Sequence, residues 1–319
     1  MYKLRCRKYK YVTNSATTKF SVARRCMDVN NAFLYGELDH VIHMEQPIGF
    51  ENREHPEYVC KLRKAIYGLK QSPRSWFGKM AEFLEQNGYQ PTAADHSLFV
   101  KQIGDKVVCI LVYVDDLILT GDIPEEIELL KENLSTRFKM KDLGRLQFFL
   151  GMELNYIGNS MILHQKKYTA DLLHKFNMQS CKPANIPMER CCRLSATEGR
   201  KIDHPTEYRK MVGSLIYLTL TRPDIAFAVG VLSRFMQDPR KPHMIAVKGV
   251  LKFLKATAGK GVCFKNQSTP KVRGFCDADY GGDLDTRRST TGYVFLYGSS
   301  PISWCSKRQP TVSLSTTEA

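Results

Sequence analysis

The chain lacks several things that would each announce a function. No window of its 319 residues approaches the ~18 consecutive apolar residues of a membrane-spanning helix, so a soluble protein with no membrane partner is expected. The ten cysteines never form a Cys-x-x-Cys pair or a zinc-type spacing. That argues against a zinc module or a disulfide framework and for reduced thiols in an intracellular protein, most of them small buried hydrophobes. Cys191 and Cys192 are adjacent and cannot easily bridge to each other. No glycine-rich phosphate cradle and no nucleophile elbow is present, which sets aside P-loop hydrolysis and serine-hydrolase chemistry. His40 and His43 have a His-x-x-His spacing near Glu37 and Asp39, but nothing completes a four-ligand set, and they read as exposed side chains. Residues 1–27 contain no acidic residue against eight Lys or Arg.

What is present is enough apolar material for a sizeable core, at 43% hydrophobic residues, and a length that suits two or three domains. A net charge of +15 points to a polyanionic partner, with nucleic acid the first candidate, although charge by itself is weak evidence. The basic segment 1–27 has the composition of a mitochondrial transit peptide. It lacks a clear amphipathic period, so a residual or misassembled start is the preferred alternative.

The most informative feature is Tyr113-Val114-Asp115-Asp116 between two apolar runs, Val107–Val112 and Leu117–Thr120, which together predict a buried hairpin with charge at its tip. Two aspartates on a rigid turn cost repulsion and desolvation unless a cation lies between them, which suggests a divalent metal. Asp is also a favoured turn residue for local backbone reasons, so a purely structural turn is the competing reading. A third carboxylate, Asp28, follows another strand-like stretch in Met27-Asp28-Val29-Asn30-Asn31-Ala32-Phe33-Leu34. Phosphoryl transfer by two Mg²⁺ ions about 3.5–4 Å apart needs carboxylates shared in this way.

This pair of motifs resembles the palm of a reverse transcriptase. The words around it are similar to the copia-type class of long-terminal-repeat retrotransposon Pol polyproteins: Met44-Glu45-Gln46-Pro47-Ile48-Gly49-Phe50, then Ala65-Ile66-Tyr67-Gly68-Leu69-Lys70-Gln71-Ser72-Pro73-Arg74, Thr221-Arg222-Pro223-Asp224-Ile225, Arg287–Tyr293 and Leu314–Ala319. They run in family order from about residue 27 to the last residue. The resemblance implies an α+β chain with a ferredoxin-like polymerase palm at 28–157, its fingers largely missing. A helical thumb and linker at 158–205, a connection at 206–270 and the N-terminal part of an RNase H-like α/β domain at 271–319 would follow. No counterpart is seen for 1–27.

Local signals suit this outline. Ser72-Pro73 reads as an N-cap and first-turn proline for a helix through Trp76, Phe77, Met80, Phe83 and Leu84 to Asn87-Gly88. A second helix from Pro124 carries Ile127, Leu130, Leu134 and Phe138, and a strand over 146–152 is expected to follow. Two helical patterns, around 213–217 and 246–251, are expected in 206–262, and residues 181–205 read as a linker.

By the resemblance, Asp28, Asp115 and Asp116 are the metal-binding catalytic residues, holding two Mg²⁺ ions, with Mn²⁺ an alternative. Phe33 lies under the incoming sugar, and its other reading is a plain core Phe. Tyr67, Gly68 and Gln71 belong to a nucleotide and template contact loop, whereas Trp76 and Phe77 are read as packing. Phe149, Leu150 and Gly151 form a primer grip. Lysines on the helix after His164 would contact duplex phosphates without sequence preference. Asp277 and Glu318 match the first two of four acids in an RNase H metal site that this chain does not complete, and Asp279, Asp283 and Asp285 read as a solvated loop. Two functions follow. One is an RNA-directed DNA polymerase acting on an RNA or DNA primer-template with deoxynucleoside triphosphates, in the cytoplasm or nucleus. The other is a catalytically inactive truncated relic that at most binds nucleic acid. The oligomeric state is left open.

Overall fold

The structure is a computed structural model that describes residues 25–189, 194–266 and 270–319. The basic stretch up to residue 24 and the pair Cys191-Cys192 lie outside the described residues. The described chain is mixed α and β, with six α-helices and four sheets. It divides into two compact units, Met1–Leu146 and Gln147–Ala319, so the division falls inside the 28–157 segment drawn from sequence.

The first unit runs β1 (Arg25–Val29), a 3-10 turn (Ala32–Tyr35), β2 (His43–Glu45), β3 (Val59–Lys61), α1 (Ser72–Gln86), β4 (Gln90–Pro91), β5 (Leu98–Ile103), β6 (Lys106–Tyr113), β7 (Asp116–Gly121), α2 (Pro124–Arg137) and β8 (Met140–Arg145). Six strands form one antiparallel sheet in the order β4-β5-β6-β7-β1-β8, and β2 pairs with β3 as a separate hairpin. Strand alternation decides its faces. Met27 and Val29 of β1, Val108, Ile110 and Val112 of β6, and Leu117 and Leu119 of β7 are buried in one core with Trp76, Met80 and Leu84 of α1 and Ile127, Leu130 and Leu134 of α2. The intervening positions, Asp28 and Asp116 among them, fall on the opposite face.

Several expectations are corrected. β1 spans Arg25–Val29, and its Arg25-Cys26-Met27 pair with β7. Ser72 is not the cap of α1: Gln71 occupies that position, and the buried Ser72 hydroxyl donates to the Ile66 carbonyl at 2.6 Å. The strand after α2 is β8, not 146–152. β8 is an edge strand with mostly exposed residues, so it carries no alternation for a sequence reading to detect, whereas the apolar run beyond it does.

The second unit contains β9 (Phe148–Phe149), β10 (Met152–Ile157), β11 (Ser160–His164), α3 (Lys166–Lys175), α4 (Pro205–Leu218), a 3-10 turn (Pro223–Ile225), α5 (Ala226–Ser233), α6 (Lys241–Ala256), β12 (Gly261–Lys265), β13 (Val272–Ala278), β14 (Thr290–Tyr297) and β15 (Ser300–Arg308). The expected 146–152 strand is thus split between β9 and β10 by a turn in which Leu150 and Gly151 both have positive φ, 50° and 71°. Its sheets are β12-β11-β10-β9 and β13-β14-β15. Three helices, not two, occupy 206–262. The additional one, α5, is Ala-Phe-Ala-Val-Gly-Val-Leu-Ser, apolar on nearly all sides and therefore without an amphipathic period.

Asp283 is the other correction. It is buried rather than solvated, and its carboxylate accepts from Arg308 at 2.9 Å, Arg234 at 3.0 Å and the Thr286 N–H at 2.9 Å. Burial pushes this carboxyl up, but the Arg308 bond, the Thr286 N–H and the Arg234 charge together bring it down to about 2. The contact ties α5 to β15. Because the folded value lies below the ordinary 3.8, the stabilisation is present above 3.8 and is lost as the pH falls through about 2. Asp283→Asn leaves two cations unpaired and is expected to cost about 3 kcal/mol at pH 7. Urea unfolding checks this, with the difference from wild type shrinking as the pH is lowered toward 2.

Candidate active site

The hairpin of β6 and β7 closes with Tyr113 opposite Asp116, leaving Val114 and Asp115 as the turn. Val114 has φ +53°, a left-handed conformation that a β-branched residue seldom adopts and that costs roughly 1–3 kcal/mol. Two hydrogen bonds fix the turn. The Trp76 indole N–H donates to the Val114 carbonyl at 2.5 Å, and the Val29 N–H donates to the Asp115 carbonyl at 2.8 Å. On the neighbouring strand Asp28 lies directly opposite Asp116. Such partners have Cβ atoms about 4.5–5.5 Å apart on one face of the sheet, where like charges are destabilising.

The electrostatics follow. The Asp116 carboxyl is pushed above its ordinary value by burial, then by Asp115 and Asp28. The buried Cys26 thiol is pushed up to about 11 by burial and by Asp116, Asp28 and Asp142. Tyr67 is raised by burial and by Asp115 and Asp28, so its phenol lies in the field of the same carboxylates. The Tyr67 ring packs 4.3 Å from that of Phe33, a buried residue of the 3-10 turn after β1. Gly68 has φ +96°, with open space where a Cβ would be, and Gln71 caps α1. Asp28, Asp115, Asp116, Phe33 and Tyr67 therefore converge.

Three further residues at the site escape a sequence reading. Trp76 is packed against Tyr35 and Phe138 as expected, but it also donates to the hairpin turn. Cys26 shares the field of the aspartates, and Lys141 lies opposite Asp28 on β8. Only the strand register discloses the last two.

The remaining predicted residues lie in the second unit. Phe149 ends β9 opposite Met152, Leu150 and Gly151 form the β9–β10 turn, and the Tyr217 hydroxyl of α4 donates to the Leu150 carbonyl. A Cβ on Gly151 would stand 2.6 Å from that hydroxyl. Asp277 is exposed on β13 opposite Gly292, and the Glu318 carboxylate accepts from the Leu314 N–H at 2.7 Å.

Among the described residues no three His, Cys, Asp or Glu side chains are already gathered as a metal cluster. The chemistry of Asp28, Asp115 and Asp116 nevertheless fits hard divalent cations such as Mg²⁺ or Mn²⁺: all are oxygen donors, and Asp116 carries a repulsion that a dication would relieve. Since its folded value is raised, the ionised Asp116 weighs against the fold above that value and not below 3.8. Asp116→Asn is expected to stabilise the metal-free protein at pH 7 by on the order of 1 kcal/mol. Mg²⁺ held by the three carboxylates would narrow the difference by stabilising wild type more than the variant. Thermal unfolding with and without Mg²⁺ measures both effects.

A family model described as reverse transcriptase (RNA-dependent DNA polymerase) matches residues 11–190, beginning inside the basic segment 1–27. The chain is similar to the retrovirus-related Pol polyproteins from transposons RE1 and RE2 of Arabidopsis thaliana, with 45% and 44% identity over 295 residues. It is 42% identical over 303 residues to that from transposon TNT 1-94 of Nicotiana tabacum. Each match covers 92% of this chain but only 20%, 20% and 23% of the respective polyprotein, so the chain spans about a fifth of their length. The chain belongs to the reverse transcriptase family, in the copia-type class of transposon Pol polyproteins whose motifs it carries.

Proposed function

We propose that the chain is an RNA-directed DNA polymerase that adds deoxynucleotides to a primer on an RNA or DNA template, with Asp28, Asp115 and Asp116 as its catalytic carboxylates. The observation that carries this reading is the placement of Asp28 opposite Asp116, beside a turn that presents Asp115. The strand order supports it: β1-α1-β6-β7-α2-β8 packs as β6-β7-β1-β8, the split βαβ order of a ferredoxin-like palm. On the same reading α3 belongs to the thumb, α4 to α6 to the connection, and β13 to β15 to an RNase H-like segment with Asp277 and Glu318 as two of its acids.

Asp28, Asp115 and Asp116 would hold two Mg²⁺ ions. When bound, such ions lower the pKa of a primer 3′-hydroxyl and neutralise charge on the leaving pyrophosphate. The chain itself supplies position and field. The sheet fixes the two strands that carry the acids, and the Phe33–Tyr67 pair forms an aromatic wall beside them, where a sugar would rest and a ribose 2′-hydroxyl would be crowded. Gly68 leaves room for close approach, Gln71 borders the same loop, and Phe149-Leu150-Gly151 would aim the primer terminus. A net charge of +15 draws in the polyanionic primer-template. No helix among the described residues is long and apolar enough to cross a membrane. The work of such an enzyme would lie in the cytoplasm or nucleus.

Primer extension on an RNA template with Mg²⁺ and four deoxynucleotides tests the proposal. Wild type is expected to extend the primer, and the Asp115→Asn/Asp116→Asn double variant to lose at least ~10³ of the rate, the scale expected when electrostatic stabilisation of the reacting charge is removed. Folded wild-type protein that extends no further than the double variant would overturn it and leave, at most, a nucleic-acid-binding protein.

A further inference from the structure

We infer that Trp76 is a positioning residue for the paired aspartates: its indole N–H is a latch that holds the left-handed Val114 turn and thereby sets the affinity of the site for divalent cations. The inference rests on the proposed metal-binding role of Asp28, Asp115 and Asp116.

The geometry separates a latch from ordinary packing. Trp76 is 1% exposed, and its ring already has what a core aromatic needs, edge contacts with Phe138 at 5.3 Å and a tilted contact with Tyr35 at 5.7 Å. Phenylalanine would satisfy that role. The additional polar atom is spent on one acceptor, the carbonyl of Val114, thirty-eight residues away and one peptide before Asp115. Val114 itself is 37% exposed, so side-chain burial does little to hold it at φ +53°. A strained residue persists only where its surroundings over-determine it. Here the restraints are the Trp76 and Val29 hydrogen bonds on consecutive carbonyls, one from α1 and one from β1. Without the first, the peptide joining Val114 to Asp115 loses the bond to its own carbonyl and is held only from its flanks, by the Val29 bond and the Tyr113–Asp116 pair, while Asp116 stays pinned opposite Asp28 by the ladder. Asp115 would then lose its orientation relative to the other two.

Groups that hold a metal ligand in place typically change metal affinity 10–100-fold when removed. Mn²⁺ titration followed by the electron paramagnetic resonance of the free ion tests the latch on intact protein, with Asp115→Asn/Asp116→Asn as the control. Trp76→Phe is expected to weaken Mn²⁺ binding about 10–100-fold, and to raise the Mg²⁺ concentration needed for half-maximal extension by a similar factor while affinity for primer-template is unchanged. Wild-type affinity in Trp76→Phe would overturn the latch and leave the metal site standing. Wild type that binds Mn²⁺ no better than the double Asp variant would overturn the metal site and the latch with it. Should Trp76→Phe not fold, the chain's two tryptophans offer a test without it. In protein labelled with ¹⁵N-tryptophan the Trp76 indole resonance, assigned with Trp304→Phe, is expected to move on Mg²⁺ addition while that of Trp304 stays. An unmoved Trp76 resonance overturns the proposal.

Discussion

Two carboxylates directly opposite each other on neighbouring antiparallel strands repel, and the repulsion grows as water is removed from around them. Asp28 and Asp116 stand in that relation, with Asp115 one residue away in a turn whose preceding residue is itself strained. None of this is favourable in isolation. It persists because the other face of the same strands is fully committed: Met27, Val29, Leu117 and Leu119 are buried against α1 and α2, and a slip of one residue would carry every one of them to the wrong face. Apolar burial on one side of the sheet therefore imposes charge proximity on the other.

The same logic explains which parts of the chain could be read before its structure. The β6–β7 hairpin was legible because Val107–Val112 and Leu117–Thr120 are apolar runs that leave the acids only the turn to occupy. Helices α1 and α2 were legible because Trp76, Met80, Leu84 and Ile127, Leu130, Leu134 recur at helical spacing. What escaped had no pattern of its own. β8 pairs with β1 through backbone hydrogen bonds while most of its side chains face solvent, and α5 is apolar all round. The Asp283 cluster joins residues 234, 283 and 308, and no local signal announces a pairing over such separations.

At the site, residue types were legible and relations between them were not. Asp28, Asp115 and Asp116 could be named from the sequence, but their order across the sheet depends on a register that spans nearly ninety residues. Trp76 could be placed in the core, yet its indole N–H meets an acceptor that only the packed helix brings near. Tyr217 is the parallel case in the second unit, since nothing in α4 taken alone suggests that its hydroxyl reaches the Leu150 carbonyl in the turn before β10.

Charge is arranged on two length scales, and their separation is what would allow one chain to attract a polyanion and yet keep a negative site. The net +15 is a property of the whole chain and would act on an approaching polyanion from beyond contact. The aspartates act over a few ångströms, well inside the ~10 Å over which 0.1 M salt screens a charge. A phosphate drawn in by the global field would meet local repulsion at Asp28, Asp115 and Asp116 unless a dication intervenes. Raising salt would then weaken the long-range attraction first, while the local repulsion among the aspartates, set at a partly buried turn, changes much less.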